Sequence, residues 1–345
     1  MQILQTVLYI VVTLLVFGVL ILAHEAGHFF VAKACRVKIN EFSIGMGPAV
    51  FKKQGKETLY SIRALPIGGY VQMDGEDGDG TDENSFNKKP YWQRFLVLVT
   101  GALMNILLGF ILICIINSFS KLMPTTVIAK FDDGAVSAQS GLKENDKILK
   151  INNYGVNSYL DITYGLATAG TESVSVTVER DGKTVVLNNV QFPIAQDDNV
   201  GEYLTLDFMV FGKRPSFLST IKYSFDWTVS ISKSIYSFFG TLFTGQADLN
   251  QISGPVGTTT AIGESVKVGL DSLLLVVALI SINLGIVNLL PFPALDGGRI
   301  LFLAIEAIRR KPISQKVEYA VNATGLILLL ALMAVITIKD VIHLF

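Results

Sequence analysis

Four long apolar segments constrain what this chain of 345 residues can fold into. A membrane-spanning helix needs about 20 predominantly apolar residues, and each segment reaches that length. The segments cover roughly residues 3–31, 95–119, 272–295 and 319–338. Half of all residues are hydrophobic and only 17% are charged, against about 25% in a soluble domain. The sequence therefore predicts a polytopic α-helical membrane protein with four transmembrane helices.

The first apolar segment ends in a cluster of ionisable residues. Residues 1–23 contain no charged side chain and lead directly into His24-Glu25-Ala26-Gly27-His28. On a helix, the i, i+4 spacing places both imidazoles on one face, with Glu25 beside them as a base that can activate water. Ionisable groups in an apolar helix are costly to place and usually functional. The pattern predicts a hydrolytic metal site, and the alternative is a pair of helix-surface histidines.

The distribution of Lys and Arg predicts how the chain crosses the membrane. No basic residue precedes the first segment, whereas Lys33, Arg36, Lys38 and further basic residues follow it. By the positive-inside rule, the amino terminus lies outside and residues 36–94 lie on the cytoplasmic side. The long stretch between the second and third segments is then extracytoplasmic. The first segment lacks the basic start of a signal peptide, so we expect it to be retained.

The same topology points to a third metal ligand. The chain has three histidines, and His343 follows the fourth segment, on the opposite side from His24 and His28. At the cytoplasmic end of the third segment, residues 288–299 read NLLPFPALDGGR, with two prolines that interrupt a helix just before Asp296. Two histidines and a carboxylate with one open position form a catalytic zinc arrangement. We expect Asp296 to be that ligand; the alternative is that Asp296 only caps the next helix.

These motifs resemble the bacterial site-2 proteases of the regulator-of-sigma-E-protease type, which are zinc intramembrane proteases with a PDZ domain. The resemblance covers nearly the whole chain and includes a GMGP stretch at 45–48 and a GPVG stretch at 254–257. It implies that His24, His28 and Asp296 bind Zn²⁺, that Glu25 is the catalytic acid/base, and that Asn288 contacts the substrate. It also implies a multi-pass protein of the bacterial inner or plasma membrane.

Residues 36–94 follow a different pattern from the apolar segments. Apolar residues alternate from Val37 to Ile44, and residues 59–64 and 67–73 are short apolar runs bounded by Gly and Pro, which predicts β-strands. The resemblance implies a membrane-associated β-element whose edge approaches the substrate with Gly68, Gly69, Tyr70 and Val71. Such an edge can supply hydrogen-bond partners to an unwound substrate helix. The alternative is a cytoplasmic sheet that packs only on itself.

An acidic run follows the β-element. Six Asp and Glu residues and three Gly residues fall within positions 74–83. The spacing does not fit an EF-hand, because Asp82 stands where that loop needs Gly. We expect a solvated, mobile loop that could cover the cytoplasmic entrance of the active site.

The segment between the second and third apolar segments has soluble character. Short alternating stretches around residues 127–129, 147–151 and 174–178 predict strands, and residues 135–153 resemble a bacterial PDZ domain. We expect one inserted extracytoplasmic PDZ-like α+β domain that binds a peptide by strand addition or excludes bulky substrates. Further along, Lys222, Asp226 and Lys233 share one helical sector, which predicts amphipathic helices that contact membrane lipids. A fifth spanning helix is the alternative.

The predicted organisation has six parts. They are a first transmembrane helix with the zinc motif (1–35), a cytoplasmic-side β-element with the acidic loop (36–94), a second transmembrane helix (95–120), a PDZ-like domain (121–212), amphipathic membrane-surface helices (213–270), and third and fourth transmembrane helices with the third zinc ligand (271–345).

The function that these patterns predict is a zinc-dependent intramembrane endopeptidase that cuts single-pass transmembrane segments near the cytoplasmic face. By resemblance, its substrates are anti-sigma factors already shortened by another protease, or signal-peptide remnants. A catalytically silent scaffold that binds partners through the PDZ-like domain is one alternative, although Glu25 would then be unnecessary. A metal transporter is another, although it would spread its ligands along the membrane. The net charge of −1 excludes nucleic acid as an expected partner.

Overall fold

The computed structural model describes residues 2–76, 78, 80–197, 201–245 and 253–342. Within them, the helices are α1 (Gln2–Ala34), α2 (Tyr91–Phe119), α3 (Val136–Gln139), α4 (Tyr159–Ala167), α5 (Phe217–Phe243), α6 (Pro255–Val268), α7 (Leu270–Leu289), α8 (Asp296–Arg309) and α9 (Gln315–Ile342). The strands are β1 (Ile39–Gln54), β2 (Leu59–Met73), β3 (Met123–Phe131), β4 (Lys147–Ile151), β5 (Tyr154–Gly155), β6 (Val174–Arg180), β7 (Lys183–Val190), β8 (Ile194–Asp197), β9 (Gly201–Leu204) and β10 (Phe208–Lys213).

The chain divides into two compact units. One unit consists of residues 1–109 and 253–345, and the other of residues 110–252. The first unit contains most of the apolar helices and the β1–β2 sheet. The second contains the larger sheet and α5.

Four helices of the described chain are long and apolar enough to cross a membrane: α1, α2, α7 and α9. This confirms the four long apolar helices that the sequence predicts, and their placement across a membrane stays a prediction. The third is shorter than the sequence predicted, because α7 ends at Leu289 instead of continuing to residue 295. Pro291 cannot donate a helical backbone hydrogen bond and its ring restricts the preceding residue, so the chain leaves the helix there.

Within the first unit, α2 packs closely against both α1 and α7 through glycines. A Cβ atom at Gly27 of α1 would lie 2.5 Å from the carbonyl oxygen of Thr100, and one at Gly285 of α7 would lie 2.7 Å from that of Ala102. Ser281 of α7 also donates a hydrogen bond of 2.7 Å to the carbonyl oxygen of Asn105. Small residues let helix backbones approach where lipid gives no hydrophobic driving force between helices.

Two strands, β1 and β2, form the predicted β-element. Both strands bend, so that Phe42 of β1 pairs with two residues of β2, Val71 on one side and Tyr60 on the other. Gly45 has a φ of +85°, and a Cβ atom there would lie 2.5 Å from the carbonyl oxygen of Leu65, so this bend requires glycine. Several large apolar side chains of the element are exposed, namely Ile44, Met46, Val50, Phe51, Ile62 and Leu65. Exposed apolar side chains agree with the predicted membrane association, which stays a prediction.

The acidic run after β2 is a folded turn. The Asp74 carboxylate accepts hydrogen bonds from the backbone N–H groups of Thr81 and Asp82, both at 3.1 Å, and from the Ser85 hydroxyl. Asp82 pairs with Lys38 at 3.0 Å. The solvated loop that the sequence predicts is therefore organised around Asp74 in its described part, because the carboxylate satisfies the backbone donors of the turn.

The second unit contains a mixed domain built on a six-stranded sheet. The strand order is β10-β3-β4-β6-β7, with β5 paired to β4, and β8 and β9 form a separate pair. Its core consists of buried apolar side chains from the strands and α4, among them Ile128, Ile148, Ile151, Ile162, Leu166, Val176 and Val178. The strands expected between residues 127 and 178 are present, and the assignment of this domain as PDZ-like stays a prediction.

Helix α5 packs onto this domain through an ion pair whose carboxylate is buried. Lys233 Nζ lies 2.7 Å from Asp161 of α4, whose side chain is 1% exposed, and Ser230 donates a hydrogen bond of 2.6 Å to the same carboxylate. In the polar sector that the sequence predicts for α5, Lys233 therefore contacts the mixed domain. Residues 213–270 contain α5 and α6 in their described part, and neither helix is both long and apolar enough to count as a fifth span.

We predict that Gly285→Ala destabilises the protein, because its methyl group would meet the Ala102 backbone and force α7 and α2 apart. The expected loss is about 1–3 kcal/mol in the free energy of unfolding. Gly240→Ala in α5 is the matched control, since a Cβ atom there meets nothing within 4 Å. Thermal unfolding in detergent checks both variants. Equal midpoints for Gly285→Ala and the wild-type protein would contradict the packing described.

Candidate metal centre

The two motif histidines lie on one face of α1 and point to a common centre. Their Nε2 atoms are 3.2 Å apart. His28 Nδ1 donates a hydrogen bond of 2.8 Å to the carbonyl oxygen of Val97 in α2. Because a carbonyl oxygen can only accept, the neutral ring carries its proton on Nδ1 and presents the lone pair of Nε2 to the centre.

Asp296 reaches this centre because two glycines follow it. A Cβ atom at Gly297 would lie 2.1 Å from the carbonyl oxygen of Leu290, and one at Gly298 would lie 2.4 Å from that of Phe292. The first turn of α8 therefore packs directly onto the backbone of the helix break. Asp296 is the first residue of α8, where Leu295 is the N-cap, and its Oδ2 atom lies 3.1 Å from His24 Nε2 and 3.4 Å from His28 Nε2.

The break itself is held from the other side by α9. A Cβ atom at Gly325 would lie 2.5 Å from the side chain of Pro293, and the Asn322 side chain accepts a hydrogen bond of 3.2 Å from the N–H of Ala294. Ala294 adopts a φ of +72°, which is unfavourable for a residue with a side chain. Packing on both faces thus maintains a strained turn that aims Asp296 at the histidines.

The donor set fits a zinc ion. The three ligand atoms of His24, His28 and Asp296 lie within 4.8 Å of one another and form the only such group of His, Cys, Asp and Glu in the described part of the chain. Ligand atoms around a tetrahedral zinc with bonds of about 2.0–2.1 Å lie about 3.3 Å apart. Asp296 Oδ2 and His24 Nδ1 are buried and make no hydrogen bond to any described residue. A buried carboxylate oxygen without a proton donor needs a cation.

The charge state of Asp296 suits this role. Burial raises the pKa of its carboxyl group, but the short contacts with His24 and His28 outweigh burial and hold the pKa well below its usual range. The group is therefore an ionised carboxylate, the form that binds a metal. The alternative role of Asp296 as the N-cap does not fit its position, because Leu295 is the N-cap of α8 and Asp296 is the first helical residue.

Glu25 lies in the same cleft but outside the ligand group. The cleft has a volume of about 470 Å³ and is lined by both histidines, Glu25, Asp296, Leu98, the edge of β2 and two further charged residues. The backbone amide of Val71 interacts with the Glu25 carboxylate, and a Cβ atom at Gly69 would lie 3.4 Å from Glu25 Cγ. The geometry thus places Glu25 beside the candidate ligand group and next to the edge of β2, and its role as a base stays a prediction.

The predicted substrate-contact residues fall into two groups. Tyr70 and Val71 line the cleft, and Gly69 borders Glu25. Gly68 (φ +85°) sits at the preceding bend, and Asn288 is half-buried near the end of α7 and is not among the residues that line the cleft. The roles of all five residues in substrate binding stay predictions. His343 lies outside the described residues.

A polar network supports the edge of β2. Arg63 donates hydrogen bonds to Glu41 at 2.8 Å, to Ser43 at 3.0 Å and to the Gly47 carbonyl oxygen at 2.7 Å. Its guanidinium group also contacts Tyr70 through the phenol oxygen and lies 5.1 Å from the ring centroid. The network joins three segments of the bent sheet and fixes Tyr70 in the cleft wall.

Several site residues escape sequence reasoning. Val97 and Gly101 of α2 shape the His28 pocket, and a Cβ atom at Gly101 would lie 2.2 Å from His28 Nε2. Glu76 and Arg299 line the cleft as an ion pair. Arg299 is the last residue of the NLLPFPALDGGR motif, which was a signal for its place in the site. A glycine within an apolar helix, such as Gly101, gives no such signal.

Comparison with known proteins identifies related sequences over almost the full length. A family model described as Peptidase family M50 matches residues 12–332. A putative zinc metalloprotease of Clostridium acetobutylicum is 37% identical over 334 residues, which is 97% of this chain and 97% of that protein. A putative zinc metalloprotease of Clostridium perfringens is 38% identical over 97% of this chain and 99% of its own length. The regulator of sigma-W protease RasP of Bacillus subtilis is 30% identical, with coverage of 97% and 99%.

We predict that Gly101→Ala removes most of the bound zinc, because the added methyl group would occupy the space next to His28 Nε2. Metal analysis of the purified protein measures zinc per chain. Gly240→Ala again serves as the control and should keep the wild-type zinc content. A Gly101→Ala protein that elutes as a folded monodisperse species with full zinc would contradict the geometry of the His28 pocket.

Proposed function

Because the chain belongs to peptidase family M50 and is a zinc metalloprotease of the site-2 type, we propose that it hydrolyses peptide bonds within single-pass transmembrane segments, near the cytoplasmic face of the membrane. The observation that carries this proposal is the position of the three candidate ligand atoms and Glu25 around the last third of α1, a helix apolar enough to span a bilayer. His24 lies 19 residues after Gln5, the first residue of that span, or about 28 Å along a helix. This is close to the thickness of a bilayer core, about 30 Å.

His24, His28 and Asp296 would hold the zinc ion. Zinc at such a site acts as a Lewis acid, which makes water nucleophilic near neutral pH and polarises a carbonyl group. Glu25 takes the proton from the attacking water and transfers it to the amine that leaves. The buried walls of the cleft, which include Leu98 and Val71, limit the access of other water molecules.

The edge of β2 would present the substrate to Glu25. A transmembrane substrate helix satisfies its own backbone hydrogen bonds, so the segment to be cut must unwind, and its freed N–H and C=O groups need new partners in an apolar setting. Strand addition along residues 69–71 supplies such partners beside Glu25. We propose Gly68, Gly69, Tyr70 and Val71 as the contact segment and Asn288 as a further contact.

The proposed substrates are anti-sigma factors already shortened by another protease, or signal-peptide remnants. The similarity to a protein named regulator of sigma-W protease supports the first class. We further propose that the active site faces the cytoplasm and that the amino terminus and the PDZ-like domain of residues 121–212 lie outside. A peptide ligand for that domain and contacts of residues 213–270 with lipids complete the proposal.

We predict that Glu25→Gln retains zinc and lowers cleavage at least about 100-fold, because loss of a general base typically costs that much or more. His24→Ala should lose both zinc and cleavage, because a ligand is removed. The assay follows a tagged single-pass substrate with a truncated outer domain, incubated in detergent with each purified protein, with and without a metal chelator.

The outcomes separate the roles of the two residues. Cleavage by the wild-type protein that the chelator abolishes is the expected result. Loss of zinc from Glu25→Gln would contradict its role as a base that is not a ligand. Cleavage by Glu25→Gln at the wild-type rate would contradict the proposed mechanism.

A further inference from the structure

Two charged residues of the cleft take no part in the mechanism described. Glu76 and Arg299 both line the cleft that contains His24, Glu25, His28 and Asp296, and Arg299 Nη1 pairs with Glu76 Oε1. The Glu76 side chain is 15% exposed and the Arg299 side chain 31% exposed. Ion pairs shielded from water are stronger and less screened by salt than those on an open surface.

Glu76 connects this pair to the end of β2. It lies three residues after Met73, the last residue of the strand, and its second oxygen, Oε2, accepts a hydrogen bond of 3.4 Å from the N–H of Met73. The Glu76 carboxylate therefore contacts the strand end with one oxygen and Arg299 with the other. Tyr70 and Val71, which line the cleft, lie in the same strand, two to three residues before Met73.

Arg299 connects the pair to the third metal ligand. It lies three residues after Asp296 in the first turn of α8, so both side chains project from the same face of the helix. A cation near a helix N-terminus is disfavoured by the helix dipole, typically by about 0.3–1 kcal/mol. The ion pair with Glu76 offsets that cost and gives a physical reason for a basic residue at this position.

We propose that Glu76 and Arg299 are a pair of positioning residues that fix the edge of β2 relative to Asp296. One wall of the cleft presents the substrate backbone and the other presents a metal ligand, and the ion pair is a direct link between them. This inference rests on the proposed function for its effect on cleavage. A displacement of about 1 Å between reacting groups can lower a rate about 100-fold, so a link across the cleft controls kcat more than substrate affinity.

The test is a double-mutant cycle with Glu76→Gln, Arg299→Gln and the combined variant. Each single variant should retain zinc and lower kcat about tenfold, with KM changed less than about threefold. The combined variant should be no slower than the slower single variant, because the two side chains act through one contact. Arg299→Lys, which retains the charge, should recover most of the loss.

A second measurement does not depend on activity. Spin labels at Gln72→Cys on β2 and Leu301→Cys on α8, in a protein with Cys35 and Cys114 replaced by Ser, report the distance across the cleft. Both sites are exposed. We expect a narrow distance distribution that broadens in Glu76→Gln and in Arg299→Gln. The matched control is Lys38→Gln, which breaks the ion pair with Asp82 in the same turn but outside the cleft lining, and which should leave kcat and the distribution unchanged.

Three results would overturn the inference. These are an unchanged distance distribution in both single variants, additive losses in the combined variant, or loss of zinc from Glu76→Gln. Failure of the proposed function would give a different result, namely no cleavage by the wild-type protein. In that case the distance measurement would still test whether Glu76 and Arg299 fix the edge of β2 relative to Asp296.

Discussion

The structure depends on the close approach of three candidate metal-ligand atoms beside the last third of an apolar helix. His24 Nε2, His28 Nε2 and Asp296 Oδ2 lie 3.1–3.4 Å apart, and the His28 ring already uses its proton on the Val97 carbonyl oxygen. When both imidazoles are neutral, as metal binding requires, their lone pairs and the carboxylate repel one another at these distances, because the surroundings contain little water. A divalent cation held between these atoms would turn the repulsion into coordination and would couple metal binding to the local fold.

Glycines make that approach sterically feasible. Gly27 and Gly101 let α1 and α2 come close enough for the Val97 carbonyl oxygen to orient His28, and Gly297 lets α8 begin directly against the end of α7. Each of these positions would bring a Cβ atom within 3 Å of another heavy atom. Because lipid gives helices little hydrophobic reason to associate, their association depends on close packing and interhelical hydrogen bonds. The short distances within the candidate metal centre therefore depend on glycines, which have no reactive side chain.

Much of this arrangement could be predicted from the sequence. The length and composition of the apolar segments indicated four spans because a bilayer sets a minimum helix length, and the fixed i, i+4 geometry of a helix brought His24 and His28 together. The break around Pro291 and Pro293 was also predictable, since proline cannot continue a helix. The end of α7 was predicted six residues too late because an apolar run continues past the last helical residue.

Other features depend on tertiary contacts that no local pattern encodes. The double pairing of Phe42 requires two bends in a sheet, and a one-dimensional alternation of apolar residues does not show where a strand bends. The predicted polar face of α5 contained Lys233, but its partner Asp161 lies 72 residues earlier in the chain. The ion pair of Glu76 with Arg299 likewise joins residues that only the folded chain brings together. Local periodicity reports burial and exposure, whereas specific partners depend on the fold.

X-ray absorption at the zinc K-edge of the purified full-length protein tests the central claim most directly, because it reports the atoms bound to the metal. The account predicts two imidazole nitrogens and carboxylate oxygen at about 2.0–2.2 Å, with one imidazole lost in His28→Ala and the spectrum unchanged in Glu25→Gln. A sulfur ligand at about 2.3 Å, a third imidazole, or a spectrum that changes in Glu25→Gln would contradict it.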